Sequence, residues 1–463
     1  MRARPLPLAA PALAAAVLLA AALPCFGEAR PLSLDEALAL GLENAEAVRL
    51  KLKSVDKNRS RLAEARAKAL PSVSLEAALS YLTNPPEGVT VHKGELGVLP
   101  LPPPYNLLPD RDIVFLADTE HTYFSLNASL SQPVYTWGRI AAGIQLASLE
   151  LAGSRAELEL EKRDLRREVR RAYSAALLAR LSRPILEEMR AALADIVTDR
   201  ERSYAEGLIT RQELLEANAS MAAVERRLLE AREGEQSAIE SLLLLTGLPP
   251  QELELTTPFR EAPEELEEQG LLERALASSK ELELARTRIA QAQEKVRLER
   301  GAGLLRPDLA LTVTLDVTGQ KPPWADSDWS DTWTWDLIFS LGTRVKLFDG
   351  GEARARASES SSDLALAAIG AAQAEKLLRL GVRRGVQEAR LAAGELAELE
   401  ARLAAAGEQR HNAQLAYQNT LISREELHSA LLALDRVRLE QLAARQRLEL
   451  ALAELERLAG PLP

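Results

Sequence analysis

The chain has 463 residues, of which 47% are hydrophobic and only 4% are aromatic. A composition dominated by Ala, Leu, Glu and Arg is typical of long packed helices. The formal net charge of −11 argues against a nucleic-acid-binding protein, because the sequence has no basic stripe to neutralise phosphates.

The N-terminus has the features of an export signal. Arg2 and Arg4 precede an apolar run over residues 6–23, and small residues then offer a cleavage site. We therefore predict a secretory signal peptide over residues 1–29. The alternative is a membrane anchor, but prolines interrupt the run short of spanning length. Cys25, the only cysteine, either leaves with this segment or carries a lipid, so no disulfide is expected.

Two segments alternate apolar and polar residues, at about 72–82 and 122–133, and we predict that both are strands. Residues 33–70 have helical spacing and are predicted to form one helix. The proline-rich residues 83–121 are predicted to be an exposed loop without regular structure. A helical hairpin is predicted to follow at about 138–246.

The same order of elements then begins again. Residues 251–268 are acidic and are interpreted as an irregular linker between a first repeat, 30–250, and a second repeat, 269–463. Matching positions lie 213 residues apart without a gap, which indicates a tandem duplication. The predicted elements of the second repeat are a helix at 271–303, strands at about 309–318 and 335–348, and a helical hairpin at about 351–459.

Two related stretches, residues 204–214 and 417–427, interrupt the hairpins and are predicted to be their tips. In each tip a Ser or Thr is followed three residues later by a Glu, which is the pattern of a helix capping box. Thr420 occupies the position of Gly207, so the second turn is less free to adopt a positive φ.

The four predicted strands have one apolar and one polar face, as in a barrel with lipid outside and water inside. Four strands cannot close a barrel, and an open edge in lipid is costly, so closure requires several subunits. A soluble sheet packed on helices is the alternative, since it has the same alternation. Four tryptophans are predicted to form a belt at the membrane interface: Trp324, Trp329, Trp333 and Trp335.

Taken together, these features resemble the TolC family of outer-membrane efflux proteins over nearly the whole mature chain. The resemblance is carried by the two tips, by the strand exits at 132–135 and 347–351, and by the helix end at 246–249. Family members usually have Asn/Arg-Pro at the start of each repeat, whereas this chain has Asn44-Ala45 and Ser279-Lys280.

The resemblance implies a mainly α fold with a β-barrel portion. A homotrimer would form a twelve-stranded barrel in the outer membrane that continues into a long α-helical barrel across the periplasm. It implies a passive exit duct of a tripartite efflux or type I secretion system, for drugs, metal ions, polysaccharide or protein. An inner-membrane transporter and a periplasmic adaptor would deliver the cargo.

The resemblance also implies that the tips dock the adaptor, and charged residues beside them are candidates for a gate that closes the tunnel. The implied docking residues are Gly207, Leu208, Ile209, Thr210, Thr420, Leu421, Ile422 and Ser423. The candidate gate residues are Arg211, Glu213, Arg424, Glu425 and Glu426.

Each gate candidate is open to more than one interpretation. Glu213 and Glu426 fit as the capping residues of their helices, whereas Glu425 has no capping duty. Arg211 and Arg424 either bridge to carboxylates of a neighbouring subunit or are solvated charges at a helix start.

No catalytic, metal or cofactor site is predicted. The histidines at 92, 121, 411 and 428 are scattered, and no thiol pair accompanies them. His428 lies just past the second tip and is interpreted as a helix-surface residue. Two alternative functions share some features with an exit duct: a periplasmic adaptor, which also has a helical hairpin, and a structural coiled-coil protein of the cell envelope.

Overall fold

A computed structural model of the chain describes the residues from 30 to 462 with internal gaps. The described ranges are 30–99, 106–116, 119–263, 265–301, 306–321, 324, 333–343, 345 and 347–462. The predicted signal peptide, Cys25 and Trp329 lie outside the described residues.

Helices dominate the described chain, and the longest are the two arms that lead to the hairpin tips. The helices are α1 (Leu34–Asn44), α2 (Glu46–Ala67), α3 (Arg139–Ala205), α4 (Arg211–Thr246), α5 (Glu268–Ser278), α6 (Lys280–Gly301), α7 (Glu352–Gln418) and α8 (Arg424–Ala459). The strands are β1 (Arg30–Leu32), β2 (Ser72–Tyr81), β3 (Val89–Val91), β4 (Gly97–Leu99), β5 (Asn106–Leu108), β6 (Ile113–Leu116), β7 (Thr122–Tyr135), β8 (Leu253–Leu255), β9 (Leu309–Gly319) and β10 (Trp333–Thr343).

One antiparallel sheet combines strands from both repeats in the order β10-β9-β7-β2. Its polar face carries side-chain hydrogen bonds between neighbouring strands. The hydroxyls of Ser74 and Ser129 lie 2.8 Å apart, and Asn127 donates to the carboxylate of Asp316. The apolar residues point to the opposite face, as the alternation predicted, and β2 and β10 form the two edges.

The helix at the start of each repeat is broken in two, so the predictions of single helices over 33–70 and 271–303 were wrong. Ala45 and Ser279 leave the helix with ψ values of 128° and 121°. Side chains stabilise both breaks. Asn44 donates to the carbonyl of Thr246 at 3.0 Å, and the Ser279 hydroxyl accepts from the Leu282 N–H at 3.2 Å.

Two segments predicted to be irregular contain short strands. Residues 83–121 form two small ladders, β3 with β6 and β4 with β5, and the linker contains β8, which pairs in parallel with β1. Leu32 and Leu253 are buried there. Strands of three or four residues are too short for an alternating pattern to identify, which explains why the sequence did not predict them.

The chain divides into two compact units, and each of them takes segments from both repeats. The first comprises Met1–Ser54, Arg155–Leu284 and Ala372–Pro463, and the second comprises Val55–Ser154 and Ala285–Ala371. In the first unit Val382 and Val386 of α7 pack with Leu448 and Leu455 of α8 in one buried cluster. Gly385 permits this approach, because a Cβ there would lie 2.8 Å from the Leu455 side chain.

Candidate functional site at the hairpin tips

Both hairpins turn by the same backbone hydrogen bonds. The Leu208 N–H donates to the carbonyl of Ser203, and the Leu421 N–H donates to the carbonyl of Ala416, each at 2.8 Å. These are the six-to-one bonds of a Schellman motif, which requires a left-handed residue just before the donor. Gly207 supplies it with φ 74°, and Thr420 supplies it with φ 59°.

A capping box starts the return helix of each hairpin, so the predicted capping role is confirmed. Glu213 accepts from the Thr210 N–H at 2.7 Å, and Glu426 accepts from the Ser423 N–H at 2.8 Å. The hydrogen bond from the Thr210 backbone holds the pKa of Glu213 below its ordinary value. Each tip is therefore a fixed turn between two helices.

Arg424 binds a carboxylate of its own chain, so it is not simply a solvated charge at the helix start, and its bridge to a neighbouring subunit stays a prediction. Its guanidinium donates with both Nε and Nη2 to Asp199 near the end of α3, and the Nε–Oδ2 distance is 2.9 Å. The hydrogen bond from Arg424 holds the pKa of Asp199 below its ordinary value. Such bidentate geometry is the stronger form of an Arg–carboxylate pair.

A second ion pair lies beside the first with the opposite polarity. Arg200 of α3 donates to Glu425 of α8, and its Nη1 also lies 3.9 Å from Glu213. The predicted gate residue Glu425 therefore forms an ion pair with Arg200 and does not cap a helix. Together, the two ion pairs join the outgoing helix of the first hairpin to the return helix of the second.

His428 adds a third contact between the same helices, and the prediction of a surface position was wrong. Its side chain is only 13% exposed, and Nε2 lies 3.4 Å from Asp195. Nδ1 is buried and has no hydrogen-bond partner among the described residues. The histidine is enclosed because α3 packs directly against this turn of α8.

The predicted docking residues present apolar side chains at both turns. Leu208 and Leu421 are 72% and 76% exposed, whereas Ile209 and Ile422 are half-buried. Arg211 is exposed, and no ion pair of this side chain is found in the part of the chain that the structure describes. The tips thus combine a rigid backbone with projecting leucines.

The predicted tryptophan belt is only partly brought together. Trp324 and Trp333 pack around Phe124, with ring centroids 5.8 Å and 5.2 Å from it. Trp333 belongs to strand β10 and not to the preceding loop, while Trp335 is exposed on the apolar face of the same strand. The belt remains a prediction.

Sequence reasoning missed the α3 partners of the tip and a buried ionic network. Arg260, in the segment interpreted as an irregular linker, donates to Glu449 at 2.9 Å and to Glu456 at 2.6 Å on α8. Arg170 of α3 faces the same two carboxylates at 3.5 Å and 3.1 Å. The sequence did contain one signal of this network: Arg260 is a single basic residue in an otherwise acidic segment.

Among the described residues, no group of His, Cys, Asp and Glu is arranged to hold a metal ion. None of the described helices has an apolar stretch long enough to cross a bilayer.

The chain matches the family model described as outer membrane efflux protein over residues 38–248 and 271–461. The outer membrane protein VceC of Vibrio cholerae superposes with a TM-score of 0.68 at 16% identity, covering 92% of this chain and 96% of that one. The Campylobacter jejuni CmeC outer membrane channel superposes with a TM-score of 0.70 at 15% identity, covering 92% of this chain and 85% of that one. The open state of the Neisseria gonorrhoeae MtrE outer membrane channel superposes with a TM-score of 0.68 at 16% identity, covering 92% of this chain and 88% of that one. No curated protein sequence matches this chain significantly.

Proposed function

This chain belongs to the outer membrane efflux protein family, and from that premise we propose that its tips dock a periplasmic adaptor and contain the tunnel gate. The protein is an outer-membrane exit duct that extends into the periplasm. Its family consists of trimeric channels that work with efflux pumps, and family membership excludes the adaptor and coiled-coil alternatives. A passive conduit needs no catalytic group of its own.

The observation that carries the docking proposal is the pair of exposed leucines on ordered turns. Leu208 and Leu421 project from Schellman turns that hydrogen bonds and capping boxes hold in place. An exposed apolar side chain on a rigid support loses little conformational entropy on binding and suits a partner's apolar groove. The partner on the periplasmic side would be the adaptor.

Site-directed cross-linking tests this docking. Cys is placed at Leu208 or Leu421 in a Cys25→Ser background, and a cross-linker is added to intact cells. We expect both positions to capture the adaptor of an inner-membrane complex, identified by mass spectrometry. Leu50 on α2 is 72% exposed and serves as the matched control position. Equal capture from Leu50, or no capture from either tip, would refute the docking.

The gate proposal rests on the ion pairs between α3 and α8. Arg424 with Asp199, and Glu425 with Arg200, hold the second hairpin against the first at the periplasmic end. Release of both pairs frees the start of α8 to move away from α3. In this proposal the pairs keep the tunnel narrow, and capping remains the role of Glu213 and Glu426.

The gate is tested by conductance of the purified trimer in a planar bilayer. We expect Arg424→Ala with Glu425→Ala to raise single-channel conductance, because both links are lost together. The control is Arg226→Ala with Glu230→Ala, which removes an exposed ion pair within α4. A separate variant, Arg211→Ala, tests in the same assay whether Arg211 bridges to a neighbouring subunit. Unchanged conductance in the first variant would remove Arg424 and Glu425 from the gate.

A further inference from the structure

A groove of about 720 Å³ lies next to the tips and is lined by the helices α3, α4 and α8. At its base are Met189, Leu193 and Ile196 of α3, which belong to a buried apolar cluster. Helices α4 and α8 provide its two walls, so both hairpins contribute to it. A groove of this volume is large enough for a drug-sized molecule.

Charges are distributed unevenly along this groove. Near the tip its lining contains Arg200, Glu213 and Glu216. These charges compensate one another, since Arg200 lies 3.9 Å from Glu213 and also donates to Glu425. The cation at this end is therefore neutralised within the chain.

The end away from the tip carries two arginines, one on each wall. Arg227 lies about four turns from the start of α4, and Arg436 lies about three turns from the start of α8. Both side chains are exposed, and neither forms an ion pair within the part of the chain that the structure describes. The carboxylate of the α8 wall, Glu440, already lies 3.1 Å from Arg402 of α7. This end of the groove is therefore positively charged.

The lining between the two ends is apolar. Val224 of α4 and Leu432 of α8 belong to the same buried cluster as the base of the groove. Ala217 and Ala223 have small side chains on the α4 wall, so space remains above that cluster. The groove thus has an apolar stretch that ends at two guanidinium groups.

We propose that this groove binds an anionic amphiphile whose acidic head group pairs with Arg227 and Arg436. Its apolar body lies along Leu432 and the α3 base, in the direction of the tip. Arginine suits an anionic head with several oxygens, because its planar fork donates two parallel hydrogen bonds. A neutral amphiphile would lack the head-group contact, and an inorganic anion would lack the apolar one. The inference requires neither adaptor docking nor the gate.

Fluorescence titration of the full-length trimer in lipid nanodiscs tests this site. The probe is anilinonaphthalene sulfonate, and the comparison probe is phenylnaphthylamine, which has the same rings without the sulfonate. Empty nanodiscs give the contribution of lipid to each signal. We expect the sulfonate to bind about tenfold more tightly than the neutral compound, because only the sulfonate pairs with the arginines. Equal affinities for the two probes would overturn the proposal, as would displacement of the sulfonate by an equal concentration of inorganic sulfate.

Variants locate the binding within the groove. Arg227→Gln with Arg436→Gln should weaken sulfonate binding about tenfold and leave phenylnaphthylamine unaffected. The matched control, Arg226→Gln with Arg445→Gln, removes the same charge from α4 and α8 outside the groove and should bind as wild type does. Ala223→Phe keeps both arginines but fills the groove, so it should also weaken sulfonate binding. Unchanged affinity in the first variant would overturn the site. So would a wild-type trimer that conducts in a planar bilayer but binds no sulfonate, and that result would leave the duct function intact.

Discussion

Thr420 adopts the backbone conformation that Gly207 adopts in the first tip. Its φ of 59° is left-handed, where a β-branched side chain crowds the following carbonyl at a cost of about 1–2 kcal/mol. The turn persists because the Thr420 and Leu421 N–H groups donate to the carbonyls of Tyr417 and Ala416. The second tip is therefore the more strained of the two.

We expect Thr420→Gly to stabilise the second tip locally by about 1 kcal/mol, since the left-handed strain is removed while glycine's greater freedom in the unfolded chain offsets part of the gain. Hydrogen exchange of the Thr420 and Leu421 amides should slow about fivefold. The reverse change, Gly207→Thr, is the matched control and should speed exchange at Leu208. An unchanged exchange rate in Thr420→Gly would mean that the turn stores no strain.

Asp435 of α8 is buried, and burial raises the pKa of its carboxyl above the ordinary value of 3.8. A raised pKa means that the folded state binds the proton more readily than the unfolded state. The favourable contribution of this group is therefore present below about pH 3.8 and is lost as the pH rises through the folded value. At neutral pH the charged carboxylate is a cost, although Arg438 lies 3.1 Å away.

Asp435→Asn should therefore stabilise the protein at pH 7 by about 1 kcal/mol, because a buried charge is replaced by a neutral group of similar shape. The gain should shrink towards zero as the pH falls through the raised pKa of the wild-type carboxyl and below the ordinary value of 3.8, because the protonated acid carries no buried charge. Denaturant unfolding followed by circular dichroism in detergent measures both values. A gain that does not depend on pH would assign the effect to packing instead of titration.

At the scale of elements, the segment between the repeats, residues 251–268, is held in place by strand pairing and ion pairs and is not a free linker. Strand β8 pairs with β1, and Arg260 reaches two carboxylates of α8 that are largely buried. One short segment therefore contacts both the start of the described chain and its last helix. Removal of Arg260 would leave Glu449 and Glu456 with only Arg170 as a cationic partner in this network.

We expect Arg260→Ala to lower the free energy of unfolding by about 2 kcal/mol, since Glu449 and Glu456 lose their shorter hydrogen bonds and keep Arg170 at 3.5 Å and 3.1 Å. The variant Arg260→Ala with Glu449→Gln should recover part of that loss, because one of the two carboxylates that Arg260 compensated is now neutral. Limited proteolysis between residues 251 and 268 should quicken in the first variant and less in the second. Equal losses in both variants would show that Glu449 was not coupled to Arg260.

Sequence periodicity predicted the larger elements because the duplication presents each of them twice. The helix breaks at Ala45 and Ser279 escaped prediction because each depends on one residue's ψ, with no Gly or Pro to mark it. The partner of Arg424 escaped prediction for another reason: Asp199 lies 225 residues away in the sequence. Capping boxes are local and were predictable, whereas contacts between hairpins depend on tertiary packing.

At the scale of the whole molecule, the proposed gate at the tip ion pairs predicts that channel closure is sensitive to salt. Arg424, Asp199, Arg200 and Glu425 are all partly exposed, so mobile ions screen their attraction. The Debye length falls from about 10 Å at 0.1 M salt to about 3 Å at 1 M. Between these concentrations we expect wild-type conductance to rise more steeply than bulk conductivity.

The variant Arg424→Ala with Glu425→Ala supplies the comparison, and its conductance should follow bulk conductivity because the links are already absent. Single-channel recording over the same salt series measures both proteins. Identical salt dependence in the two proteins would show that the ion pairs do not contribute to closure.

The sheet with edges at β2 and β10 has a consequence for how the protein reaches its membrane. A lone chain carries unpaired backbone donors and acceptors along both edges, and each would cost several kcal/mol in hydrocarbon. Insertion of one subunit at a time is therefore forbidden on energetic grounds. Three chains must pair edge to edge before or during entry into the membrane. During biogenesis the bilayer therefore favours the closed trimer over single chains, because only the trimer has no unpaired strand edge.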